Sequence, residues 1–168
     1  MSFNYPLLFT LALEIFIASL LLVAAAHDIM TRTVPNWMPL ALAILCVVTV
    51  ALDHRLVWGV GFGVATFASC VLFWRRGWMG GADVKLLGAT AIVVPAAAAG
   101  TFLMAVTVSG GILAIVYLAG RVFVPRPVAR RPRRLIRRVL RVEAWRIRHR
   151  GPLPYACAIA AGTIFVLS

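Results

Sequence analysis

Between Pro6 and Ala26 the chain carries one charge, Glu14, and five further apolar runs follow it. Such a pattern leaves few folds open. A soluble domain is about 45–50% apolar, whereas 62% of these 168 residues are hydrophobic and the mean hydropathy is +0.96. A spanning helix takes about 20 residues, so six spans would use nearly the whole chain and leave no room for a soluble domain. The runs are Pro6–Ala26, Trp37–Leu52, Leu56–Trp74, Val84–Ala98, Thr101–Val124 and a last one from Pro152 onward. The expected fold is an all-α integral membrane protein, a bundle of about six transmembrane helices forming a single domain over residues 1–168. The first run lacks a basic leader and a cleavage site, so it reads as a retained span.

The net charge of +12 would point to nucleic acid in a soluble protein, but in a membrane protein loop asymmetry explains it first. With the N-terminus outside, the breaks after spans one, three and five face the cytoplasm. They hold every basic residue except Arg55, sixteen of the seventeen. Both termini are then expected outside, and no nucleic-acid partner is expected. The segment Arg126–Arg150 holds eleven arginines and one acid. Leu135, Ile136, Val139, Leu140 and Val142 recur near the helical period within it, as in a basic amphipathic helix lying on anionic lipid. Cys46, Cys70 and Cys157 lie inside apolar runs without metal-ligand or disulfide spacing.

Two acids stand apart from this arrangement. Asp83 sits in Gly80-Gly81-Ala82-Asp83-Val84-Lys85, a glycine-rich break between apolar runs, and Asp28 ends the first run, ahead of Pro35-Asn36. Each has a plain structural reading: Asp83 as the N-cap of span four, Asp28 as a solvated loop residue. Together, on one membrane edge, they suit hydrolysis of a peptide bond by water. Two close carboxylates do not both ionise readily. The ionised one can take a proton from water while the protonated one donates to the scissile carbonyl and then to the leaving amine. Neither a metal, a cofactor nor a nucleophilic side chain is required. Gly80 and Gly81 would let an extended substrate backbone come close, with Ala82, Lys85, Pro35 and Asn36 as further candidate substrate contacts. Lys85 reads equally as an anchor for lipid phosphate, and Pro35-Asn36 as the restart of span two. Glu14 lies fourteen residues before Asp28, about 21 Å along a helix, too far to share the site. His27 reads as an interface residue, and Gly59/Gly63 and Ala158/Gly162 as helix-packing faces.

Asp28 with Val34-Pro35-Asn36, followed by Gly80-Gly81-Ala82-Asp83-Val84-Lys85-Leu86, resembles the type IV prepilin peptidase family. The small branch that serves Flp-type (tight-adherence) pili is the most similar, and Pro154–Gly162 resembles that branch's last span. The resemblance implies a membrane aspartic protease of the bacterial inner membrane, with Asp28 and Asp83 as its catalytic pair. It would remove a short basic leader from prepilin or pseudopilin precursors at the cytoplasmic face, with a pilus assembly machinery as a further partner. The family motif reads Gly-x-Gly-Asp, and Ala82 stands where its last glycine is expected; a methyl there fits only ordinary dihedrals. Larger relatives carry a cysteine-rich domain linked to methylation of the mature pilin, which this chain lacks, so methyl transfer is not expected. Two other classes compete. A small proton-coupled transporter would place acids near mid-membrane, where only Glu14 lies. An inactive accessory subunit of a pilus or secretion machine would rest on Ala82 alone.

Overall fold

The computed structural model describes residues 5–123, 135–148 and 153–167. Among the described residues there is no strand. Helix α1 (Tyr5–Thr31) leads into α2 (Trp37–Leu52) and α3 (Leu56–Arg75), then α4 (Gly81–Ala91). A single 3-10 turn at Ala96–Ala98 joins it to α5 (Ala99–Phe123), which precedes α6 (Leu135–Arg148) and α7 (Tyr155–Leu167). Of the basic segment Arg126–Arg150, only the α6 residues are described, and Val124, Pro152 and Ser168 also fall outside.

The largest departures from the expected limits fall on two helices. The first break was placed from His27 onward, yet α1 continues through Asp28 to Thr31. No residue there breaks a helix, and the stop comes at Arg32, in the left-handed region at φ 58°. Its N–H closes the last turn on the Asp28 carbonyl at 2.8 Å, a helix ending usually made by glycine. Span four was expected over Val84–Ala98, but α4 begins at Gly81 and ends at Ala91. Pro95 lies in an extended conformation (φ −63°, ψ 152°) and opens the 3-10 turn. The carbonyls freed by this break are taken up from α3 and its approach. Arg55 donates to Val93 O at 3.5 Å and Trp58 Nε1 to Val94 O at 3.1 Å.

Among the described residues, three stretches are long and apolar enough to cross a bilayer: Leu8–Thr31, Leu56–Arg75 and Ala96–Gly120. Helices α2 and α7 are apolar but shorter, and the eleven residues of α4 reach only about 16 Å. Length and composition thus support three candidate spans among the described residues and do not support the count of six. The short helices lie where they are walled by protein. Helix α4 packs against α2, α3 and α7, while α7 packs against α1, α4 and α5. Leu86 to Ala91 are all buried, as are Ala156, Ala158, Ile159, Ala160, Gly162 and Thr163.

Close approach explains the small residues at these seams. A Cβ on Gly59 would stand 2.5 Å from the Ile92 carbonyl, and one on Gly63 2.4 Å from Ile92 Cγ1. On α7, a Cβ on Gly162 would meet the Val106 backbone nitrogen at 2.8 Å. Both expected packing faces are therefore in use.

Candidate active site

The N-terminus of α4 sets Asp83 in place. Gly80 is its N-cap, in an extended conformation, and Asp83 is the third helical residue, not the cap. Its carboxylate folds back over the helix end toward the Gly80 N–H, half of a capping box. The fold-back is tight: a Cβ on Gly80 would stand 2.7 Å from Asp83 Oδ2. Ala82 lies inside the helix with ordinary dihedrals; among the described non-glycine residues only Arg32 and His54 have positive φ. A methyl at this position is accordingly unstrained, and it packs against the core.

Asp28 approaches from the last turn of α1. It is buried at 8% exposure, and the Ala156 N–H of the first turn of α7 is turned toward its carboxylate. A helix N-terminus favours a negative charge. Three helix ends thus converge, and the Asp28 charge acts on Asp83. Asp83 stands outside the three long spans. Burial pushes its carboxyl up to about 6, the negative charge of Asp28 pushes the same way, and the Gly80 N–H opposes both. One proton on two interacting carboxyls leaves one acceptor and one donor, the requirement for general acid–base work. Asp83 also forms part of the wall of a cleft of about 670 Å³, with Phe73, Trp78, Met79, Leu153 and Tyr155 around it. The exposed Trp78 is stacked on Phe73 at 6.0 Å, with the Arg76 guanidinium 5.5 Å from its ring.

The remaining candidates are placed elsewhere. Lys85 donates to Asn36 Oδ1 at 2.8 Å, at a second groove of about 510 Å³ between α2, α3 and α4. Two residues along a helix turn it by about 200°, so Lys85 and Asp83 point to opposite sides of α4. The Pro35 carbonyl accepts the Met38 N–H at 3.0 Å in the first turn of α2. Gly81 faces Trp74, whose Nε1 would lie 3.3 Å from an added Cβ. His27 closes the turn after α1: its Nδ1 lies 2.6 Å from the Thr33 carbonyl, which can only accept, so that nitrogen carries the proton. Glu14 senses the charges of Asp53 and Arg55, at the end of the bundle away from Asp28.

Sequence reasoning missed the groups that hold the end of α1. Glu143 of α6 bonds Arg32 and the Tyr117 hydroxyl, and Arg146 reaches the Ile29 carbonyl at 2.8 Å. One signal was present, the single acid among eleven arginines. A lone counter-charge in such a run has a reason to be inside. Tyr155 and Ala156 were read only as the opening of a last span.

The sequence profile described as the type IV leader peptidase family matches residues 15–115, a stretch that includes Asp28 and Gly80–Lys85. No curated protein and no solved structure matches the chain at a significant level.

Proposed function

The chain belongs to the type IV leader peptidase family, and from that premise we propose that it is an aspartic endopeptidase with Asp28 and Asp83 as the reacting pair. One observation carries the reading: the two acids flagged by their sequence setting come from separate helices to one rim, where the charge of Asp28 reaches Asp83. The ionised carboxylate takes a proton from water as its oxygen attacks the scissile carbonyl. The protonated carboxyl donates to the carbonyl oxygen. Collapse of the tetrahedral intermediate breaks the C–N bond, and the leaving amine takes up a proton from the pair. The cleft beside Asp83 would receive the backbone around the bond, and Gly80, without a side chain, leaves the approach to the carboxylate clear.

The substrate class is the precursor of a Flp-type pilin or pseudopilin, cut at the cytoplasmic face of the inner membrane. That face is supported by the sixteen basic residues assigned to it. The arginine segment, with α6 inside it, would rest on anionic lipid.

Asp28→Asn and Asp83→Asn test the assignment, since each is nearly isosteric yet cannot exchange the proton. General acid–base assistance is worth about 10²–10⁴-fold, so either change should abolish visible processing of a co-expressed precursor, measured by gel shift with enzyme levels matched by immunoblot. The double variant should be no worse than either single one, because the pair acts as a unit. An Asp83→Asn protein that accumulates normally and still trims at the wild-type rate would end this reading.

A further inference from the structure

We propose that α6 is a positioning element of the site: through Glu143 and Arg146 it clasps the end of α1 and keeps Asp28 in register with Asp83. The inference rests on the reading of Asp28 as one of the reacting pair. It starts from the last turn of α1, whose terminal carbonyls have no partner within the helix. The Asp28 carbonyl is taken by Arg32 N–H at 2.8 Å. The next two, Ile29 and Met30, accept from Arg146 Nη1 at 2.8 Å and Nη2 at 3.4 Å. One planar guanidinium thus spans two successive carbonyls directly after Asp28, at the helix end where a cation is favoured.

Arg146 is itself held. Glu143, one turn earlier on α6, pairs with it at 3.2 Å and also bonds Arg32, just past the end of α1, and Tyr117 of α5. Arg32 donates to Tyr117 Oη at 3.0 Å, and its guanidinium lies 5.6 Å from that ring's centroid. Three elements therefore close on one carboxylate. The three charged side chains are only 9–17% exposed. A charge cluster this buried costs desolvation and is weak evidence of stability; its geometric effect is to fix where α1 ends. Val142 and Trp145 are exposed, and bonds from α6 to the end of α1 run through Glu143 and Arg146. Misplacing a reacting group by about 1 Å can cost on the order of 10²-fold in rate, which makes a remote clasp matter to catalysis.

The test uses the purified full-length protein in vesicles containing anionic lipid, with a pilin precursor as substrate. Arg146→Met keeps length and removes the donors. It should lower kcat about 10–100-fold with KM within about twofold, and Arg146→Lys, which can still bond one carbonyl, should recover part of the loss. Glu143→Gln combined with Arg32→Gln should cost no more than the larger single effect. Hydrogen exchange at the amides of residues 28–32 reads the clasp without substrate and should speed up in Arg146→Met. Unchanged exchange there overturns the clasp whatever happens to cleavage. Faster exchange with wild-type kcat in the folded protein, or a loss confined to yield or to KM, overturns the positioning role. If Arg146→Met does not accumulate, kcat of Glu143→Gln decides by the same criterion. An uncut precursor with wild-type protein instead defeats the peptidase reading, and the exchange data then stand alone for or against the clasp.

Discussion

Asp83 keeps its proton to about pH 6 because burial and the neighbouring Asp28 charge both oppose ionisation. Two consequences of opposite character follow. In the proposed catalysis, the proton is the donor: below about 6 the pair would hold it, and above it the pair would turn into two repelling anions. Cleavage by the purified enzyme should therefore decline as pH rises through that value, an apparent constant that belongs to the pair. For stability, the sign is the reverse of a salt-bridged aspartate. The folded protein binds this proton more tightly than the unfolded chain does, whose carboxyl titrates near 3.8. Stability from Asp83 is thus greatest below 3.8 and is lost as pH rises toward 6. Asp83→Asn should accordingly melt at or above the wild-type temperature at pH 7 while cleaving nothing. A clearly lower melting temperature would show that the carboxylate is held by a favourable partner instead.

At the scale of the element, what the sequence reveals depends on where it has punctuation. Helices α2 and α3 lie within a residue of their expected limits, because Pro35-Asn36, the Asp53–Arg55 turn and Arg75 interrupt the apolar pattern. Helix α4 was misjudged because Ile92, Val93 and Val94 continue the apolar run through a break that only Pro95 signals. Hydropathy does not distinguish a full span from a half-length helix packed among neighbours. Asp28 and Asp83 were legible from chemistry, as acids at apolar edges. The Arg32–Glu143 link, 111 residues apart in the chain, has no local signature. The glycines of α3 can be ranked from their surroundings. Gly59→Leu drives a side chain into the Ile92 carbonyl, and overpacking of this kind costs about 1–3 kcal/mol. Gly61 has nothing within 4 Å of an added Cβ. Thermal melting in detergent should show a marked loss for Gly59→Leu and none for Gly61→Ala.

For the whole molecule, the arrangement has one polarised end. The end of α1 with Asp28, the start of α4 with Asp83, the start of α7 and the clasp from α6 gather there, while Asp53, Arg55 and Glu14 mark the other. The proposed orientation puts the first end in the cytoplasm. In a protein freed of Cys46, Cys70 and Cys157, a cysteine placed at Arg76 should resist impermeant reagents in intact cells and react once the membrane is opened. Labelling from outside would invert the topology. Asp28 lies three residues from the last residue of α1, about 4.5 Å, and Asp83 lies within the first turn of α4. The proposed reacting pair would thereby be pinned at a constant depth, and the molecule would work as a ruler as much as a blade. A precursor held in the membrane by an apolar helix of its own would meet the pair only where its bond emerges at that level. Each residue inserted between bond and helix shifts the bond along the chain by as much as about 3.5 Å. Precursors lengthened by two or three residues at that junction should go uncut by this protein even with the local sequence around the bond intact, as a processing gel would register.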